Sequence, residues 1–347
     1  MKMKKLLSVV LCMMLFVYAL PLLTVGLSPD QDTDALAPED TGEEVPTSAD
    51  ETLPEPASGW DKAHTVTVCI DGDVETLDFR TYLIGVMAAE MPASFPVEAL
   101  KAQAVVARTY TLYKQELYGA DGMPESHHGA QLCTDSNHCE AWCDVATQAV
   151  ALWGDSMDFY LEKIAAAVDE TDGLILVYQD QPIAAVFHSA SAERTESAVD
   201  VWGTEVPYLV SVESPGGEDS PKYEGEVRIS QKEFAAALLA QVPEADLSVD
   251  ASYWFRDSHR SEAGGVIDVL VGGARVKGTL IRQIAGLNSI NFHVQAEGDD
   301  LIFTTLGSGH GVGMSQYGAR AMAHDGANYV EILLHYYSGA QLLKKSV

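Results

Sequence analysis

Positive charge is scarce in this chain. Its 347 residues include 21 Lys and Arg against 51 Asp and Glu, for a net charge of −30. So acidic a surface repels phosphate backbones and anionic headgroups, which excludes nucleic acid and charged bilayer surfaces as partners. It suits a soluble existence outside the membrane. No segment repeats at a fixed period, so a solenoid is excluded. The Gly-Lys-Ser/Thr ending of a phosphate loop is also missing; the glycine-rich turn Gly307 to Gly313 runs into Met314 instead. Cysteine is sparse, and three of the five, Cys133, Cys139 and Cys143, fall in one loop.

The N-terminus has its own character. Lys2, Lys4 and Lys5 (residues 1–5) precede an uncharged run, residues 6–27, whose length as a helix is about 33 Å, enough to span a bilayer core. Lysine before the run and acid after it predict a single-pass cell-membrane anchor, with a cytoplasmic N-terminus and the rest outside. A cleaved signal peptide is the alternative; its apolar core is shorter and ends in a small-residue cleavage site. Residues 28–60 carry ten carboxylates, no Lys or Arg and few large apolar side chains. Such a segment cannot offset its ordering entropy and reads as an acidic disordered linker. Residues 61–347 have the composition of a globular domain, large enough for one core or two lobes.

Within that domain His64 to Ile70 alternates as a strand. Asp78 to Met91 has helical spacing, with Phe79, Tyr82, Leu83, Val86 and Met87 on one stripe. Pro92 stops it, and a second helix from Val97 to Tyr118 is apolar nearly all round, as buried helices are. Val145 to Val168 is weakly helical. Leu174 to Tyr178 and Ile183 to His188 read as strands. Glu226 to Ser230 is a strand leading into a helix from Gln231 to Gln241. Further strands are expected at Val266–Val271, Ile290–Gln295 and Leu301–Thr305, and helices at Met314–His324 and Tyr329–Tyr337. Helices and strands in mixed order predict an α+β fold with mainly antiparallel strands.

Three stretches go beyond generic fold: EMPASFPVEALKAQAVVARTY from Glu90, FHSASAERTESAVDVWG from Phe187 and GHGVGMSQYGARAMAHDG from Gly309. From about Val66 to Leu342 the chain resembles the stage II sporulation protein D family, whose wider group includes amidase-enhancer proteins. The resemblance implies two lobes around a glycan-binding cleft. It also implies a membrane-anchored peptidoglycan lytic transglycosylase of the septal wall during spore engulfment. Such an enzyme acts on glycan strands beside an amidase or endopeptidase partner that first removes the stem peptides.

A glycan hydrolase needs two carboxylates. A lytic transglycosylase, on the family's chemistry, uses one, because the sugar's own C6 hydroxyl attacks to give a 1,6-anhydro end. That single carboxyl serves as acid and then as base, and apolar surroundings tune it toward neutrality. Glu90 ends an apolar helix stripe beside Met91 and Pro92, and the Glu-Met-Pro match implies that it is catalytic. A solvated helix end is the plainer reading. Gln103, Arg108 and Tyr110 lie on an otherwise apolar helix, where they either contact sugar or form an internal network. His188 and Ser189 end a strand and point to opposite faces, so they make a poor nucleophile–base pair. They are expected at the cleft, as are His310, Ser315 and Gln316 at the glycine-rich turn and the helix start after it. A muramidase and a non-catalytic glycan-binding enhancer of an amidase are the competing functions.

His127, Cys133 and Cys139, with His128, His138 and Cys143 close by, form a sulfur- and imidazole-rich set within one loop, as structural zinc sites do. The resemblance implies His127, Cys133, His138 and Cys139 as the ligands. A disulfide from Cys133 to Cys139 or Cys143 is the alternative for an exported loop.

Overall fold

The computed structural model describes residues 59–136 and 138–346, all in one compact unit. The expected anchor and nearly all of the expected linker lie outside the described residues. Trp60, at the linker's expected end, is already part of the fold. It is buried in a short helix, α1 (Trp60–Ala63), stacks on His64 and packs edge-on against Phe79.

β1 (Thr65–Ile70) and β2 (Asp73–Asp78) form an antiparallel hairpin across Asp71 and Gly72, both at positive φ. The exposed β2 carries no apolar alternation and was not expected as a strand. α2 (Phe79–Glu90) starts where the Asp78 carboxylate accepts the Thr81 N–H at 2.9 Å, and it buries the expected stripe. α3 (Val97–Asp121) runs through the larger of two hydrophobic clusters and packs against α2. Each fully buried Leu or Val on it contributes roughly 1.5–3 kcal/mol. β3 (Leu132–Cys133) lies parallel to β1, with Cys133 beside Cys69.

The helix expected over Val145–Val168 is two helices, α4 (Val145–Trp153) and α5 (Met157–Glu170). They are separated at Gly154, whose φ of 53° no helix interior adopts. β4 (Leu174–Tyr178), β5 (Gln181–Pro182) and the short β6 (Phe187–His188) follow, then α6 (Ala198–Trp202). The span Ile183–His188 is therefore only partly strand.

A second hydrophobic cluster, built around Phe234, Trp254, Ile281 and Phe303, belongs to the segment between α6 and the glycine-rich turn. It comprises β7 (Glu224–Ser230), α7 (Gln231–Leu239), β8 (Phe255–Arg260), β9 (Val266–Val271), β10 (Ala274–Lys277), α8 (Gly278–Ala285), β11 (Phe292–Glu297) and β12 (Asp300–Leu306). Its two antiparallel sheets have the orders β10-β9-β8 and β11-β12-β7. β13 (Met314–Ser315), α9 (Gln316–His324), α10 (Tyr329–Tyr336) and β14 (Gln341–Lys344) return the chain to the larger cluster. β13 pairs parallel with β6, Ser315 against His188, and β14 pairs antiparallel with β4.

The fold is α+β with mostly antiparallel sheets. Two clusters exist, but the implied cleft between two lobes is not shown. The cavity at Glu90 is walled by segments around the larger cluster.

Candidate active site

Glu90 is the last residue of α2. Pro92 denies the helix a further turn, and Met91 bends into extended backbone while its N–H returns to the Met87 carbonyl at 3.1 Å. The Glu90 carbonyl accepts a hydrogen bond from the Gln316 side-chain amide at 2.9 Å. Its carboxylate Oε1 accepts the Ala141 N–H at 2.6 Å. Burial raises the carboxyl above the usual Glu range, and the Ala141 N–H offsets part of that rise. The side chain opens on a cavity of about 340 Å³ lined also by Tyr110, Ser136, Cys139, Val186, Phe187, Trp202 and His310. No Lys or Arg is among these residues, so no lining cation lowers the carboxyl again.

Glu90 in turn acts on a second carboxyl. Glu140 is buried, accepts the Thr111 hydroxyl at 3.1 Å, and leaves its Oε1 without a partner. Burial first, then repulsion from Glu90, holds it well above its ordinary value, so it stays protonated when Glu90 is charged. It does not line the cavity. Nothing in the sequence pointed to Glu140, because its proximity to Glu90 is purely tertiary.

Glu140 and Ala141 directly follow Cys139. The ligand atoms of His127, Cys133, His138 and Cys139 all lie within 4.8 Å of one another. His127 Nε2 and His138 Nδ1 are 3.0 Å apart, and Cys133 Sγ is 3.4 Å from His138 Nδ1. The outer His138 nitrogen, Nε2, meets the Tyr118 hydroxyl at 3.1 Å; Lys114 donates to that hydroxyl and to the His138 carbonyl. Burial depresses both imidazoles, which keeps them neutral as ligands must be, and pushes the Cys139 thiol up to about 12. Two thiols and two imidazoles whose ligand atoms converge this closely fit a bound cation, which would hold the sulfurs as thiolates. Cys69, Cys133, Cys139 and Cys143 are all free thiols in this structure.

The other expected residues separate into groups. Tyr110 and His310 line the cavity; burial keeps the Tyr110 phenol neutral. His310 Nδ1 accepts the Val312 N–H at 3.1 Å, and burial lowers its ring to about 4. Gln316 holds the Glu90 carbonyl. Ser315 is buried; its hydroxyl oxygen caps α9 by accepting the Gly318 N–H and also accepts the Ser191 N–H. His188 lies beneath His310, ring centroids 5.7 Å apart, and its nitrogens meet the Val312 carbonyl and the Ser191 hydroxyl. Burial lowers its ring to about 3, and it does not line the cavity. Ser189 offers its carbonyl to the Tyr317 N–H at 3.0 Å. Arg108 is enclosed in the core and forks onto Asp61, at 2.8 Å from Nε and 2.6 Å from Nη2, with further bonds to the Val168 and Leu174 carbonyls. It braces α1 and β4 against α3 and cannot touch a ligand in the cavity. Gln103 is buried too, with both side-chain amide atoms unpartnered.

Residues 72–178 match the family model described as Stage II sporulation protein. Over 269 residues the chain is 38% identical to Stage II sporulation protein D of Bacillus subtilis (strain 168), covering 78% of this chain and 75% of that protein. The chain belongs to the stage II sporulation protein D family. The Bacillus amyloliquefaciens protein of the same name is 37% identical over 269 residues, with the same two coverages. The Amidase enhancer of Bacillus subtilis (strain 168) is 24% identical over 318 residues, which is 75% of this chain and 40% of that protein.

The span matched by the family model contains Glu90, Glu140 and all four metal-type ligands. The wall formed by Phe187, Trp202 and His310 comes from beyond it. Phe187 and Trp202 were not singled out from sequence, although both stand within the second quoted motif. Aromatic residues at strand and helix ends read as core there, and only the cavity separates them from packing.

Proposed function

We propose that this protein is a peptidoglycan lytic transglycosylase with Glu90 as its catalytic carboxyl. The observation carrying this reading is a half-buried carboxyl, raised by burial, at the wall of a cavity whose lining lacks a cation. Protonated Glu90 gives its proton to the glycosidic oxygen as the C1–O bond breaks. The sugar's C6 hydroxyl then bonds to C1 and returns a proton to the Glu90 carboxylate, leaving a 1,6-anhydro end. Glu140 is enclosed behind Glu90 and away from the cavity, which disfavours a hydrolase with a water-activating second carboxylate.

The Cys/His cluster binds zinc on this reading, since thiolate and imidazole select it over calcium or magnesium. Four protein donors close the site, so the ion's role is to fix the loop that delivers the Ala141 N–H to Glu90. The biological setting is septal wall remodelling during spore engulfment, with the domain outside the membrane behind an N-terminal anchor. An amidase or endopeptidase partner supplies the stripped strands. The similarity to an Amidase enhancer supports that link and is the observation in favour of a second reading, a non-catalytic glycan-binding enhancer.

Mass analysis of products from stripped glycan strands tests the assignment. Ends about 18 mass units below reducing ends, lost in Glu90→Gln, are expected from internal attack. Reducing ends would make the protein a muramidase, and no product at all would favour the enhancer.

A further inference from the structure

The two sheets of the smaller cluster leave a seam between them. β11 edges one sheet and β8 edges the other. Just before β11, the Leu306 N–H reaches the Asn291 carbonyl at 2.9 Å, and their neighbours Thr305 and Phe292 are paired in register. Antiparallel bonding alternates along the strand, so the N–H and C=O groups of Phe292, Val294 and Ala296 point away from β12. The Phe292 carbonyl accepts Nη2 of Arg260, from β8, at 2.7 Å, which puts β8 on that free side. Val294 and Ala296 find no backbone partner there among the described residues.

β8 does not close the seam. Its pairing with β9 slips between Arg256 and Arg260, and Asp257 stands at φ 49°. Such a bulge bends a strand and interrupts its edge. What remains is a groove of about 180 Å³, with Arg256, Arg260, Phe292, His293 and Val294 in its lining. That is below the roughly 300–1,000 Å³ of small-molecule sites, and a strand edge in the lining suits extended chain instead. Exposed edges are commonly blunted by lysine, proline or a bulge. β11 has none of these and keeps one unbroken register with β12.

The groove also holds unbalanced positive charge. In a chain with 51 acidic and 21 basic residues, Arg80, Arg108, Arg194, Arg228, Arg275 and Arg320 each find a carboxylate. Arg256 and Arg260 make no ion pair among the described residues. Arg256 lies over the Tyr253 ring and donates from Nε to the Tyr253 carbonyl, while Arg260 bonds the Gly264 and Phe292 carbonyls. Asp257, the carboxylate in the lining, is already held by Arg275 at 2.7 Å.

We propose that this groove seats an extended, acidic segment of a partner protein, which adds as a strand to the free edge of β11 and lays its carboxylates on Arg256 and Arg260. Main-chain bonds supply affinity indifferent to sequence, and the guanidiniums supply the preference for acid. No residue lines both this groove and the Glu90 cavity, so docking is measured apart from cleavage.

The test uses the full chain in detergent and three blocked peptides that alternate valine with glutamate, glutamine or lysine. At millimolar concentration the glutamate peptide should slow amide exchange at Val294 and Ala296 about tenfold, and the lysine peptide should not. Arg256→Gln and Arg260→Gln should each weaken the glutamate peptide about three- to fivefold and leave the glutamine peptide unchanged. N-methylation of alternate amides in the glutamate peptide should abolish its binding, since strand addition needs those donors. No slowing with the glutamate peptide, or equal binding of the glutamate and lysine peptides, overturns the proposal. Slow exchange at both amides before any peptide is added also overturns it, because the acidic segment preceding Gly59 would then be the occupant.

Discussion

Glu90 and Arg108 show how two polar residues drawn from one short stretch of sequence can serve opposite ends. Glu90 faces a cavity, and its raised carboxyl keeps it protonated into a higher pH range than an exposed Glu. Since it acts first as an acid, cleavage should fall as pH rises through that raised value, which a pH–rate profile reads directly. Arg108 faces inward, and removing it strands the buried Asp61 charge. Arg108→Met should cost about 3–5 kcal/mol in urea melts while the folded fraction still binds glycan normally. If Arg108 contacted sugar instead, binding would collapse with stability intact. Glu196 offers a third case. It is buried with Oε1 on the Gly265 N–H and Oε2 unpartnered, and burial raises its carboxyl. The folded state therefore keeps a proton that the unfolded chain releases earlier. Its contribution is full below the ordinary value of 4.5 and is lost as pH rises through the raised one. Glu196→Gln should flatten that part of the stability curve, as urea melts between about pH 4 and 8 would show.

Among the elements, the loop from His127 to Cys143 is the one that ties chemistry to architecture. Cys143 lays its N–H on the Gly85 carbonyl at 3.3 Å, and Ala141 reaches Glu90, more than one helical turn further on. Gly85 is what lets the loop approach, since a Cβ there would stand 2.1 Å from Trp142 Nε1. Gly85→Ala should push the loop off α2, costing about 1–3 kcal/mol and lowering cleavage more than glycan binding. Metal removal should act on the same element. Elemental analysis of untagged protein should find one zinc, lost on acidification as the ligands protonate. The stripped protein should lose hydrogen-exchange protection at Ala141 while α3 stays protected. A metal-free protein, two mass units short, with a Cys133–Cys139 disulfide would defeat the zinc assignment.

At the scale of the whole molecule, the hydrophobic clusters divide the labour. The larger one holds the helices that aim Glu90, while the smaller supports the two antiparallel sheets between α6 and the glycine-rich turn. Among the described residues no helix is long and apolar enough to cross a membrane, and the expected anchor at residues 6–27 lies outside them. In cells, the full-length chain should stay with membranes through alkaline carbonate washing, and a chain starting at Gly59 should be released. A mature N-terminus beyond the apolar run would identify a cleaved leader instead.

The sequence by itself determined the elements whose burial is one-sided and periodic. β1, α2 and α3 emerge where expected because each must turn one stripe, or its whole surface, away from water. The break at Gly154 and the strand β2 escaped notice, since a glycine within an apolar run and an exposed strand leave little periodic signal. Glu90 and the Cys/His set stood out because their chemistry is concentrated in short motifs, and the fold puts Glu90 at a cavity and draws the four ligand atoms together. Tertiary structure alone decided what those motifs meet. Glu90 and Glu140 are fifty positions apart in the chain but repel each other in space. His188 and Arg108 were withdrawn from the cavity, and Trp202 was turned into it. Burial and neighbouring charge are sums over the folded surroundings, so no local stretch of sequence encodes them.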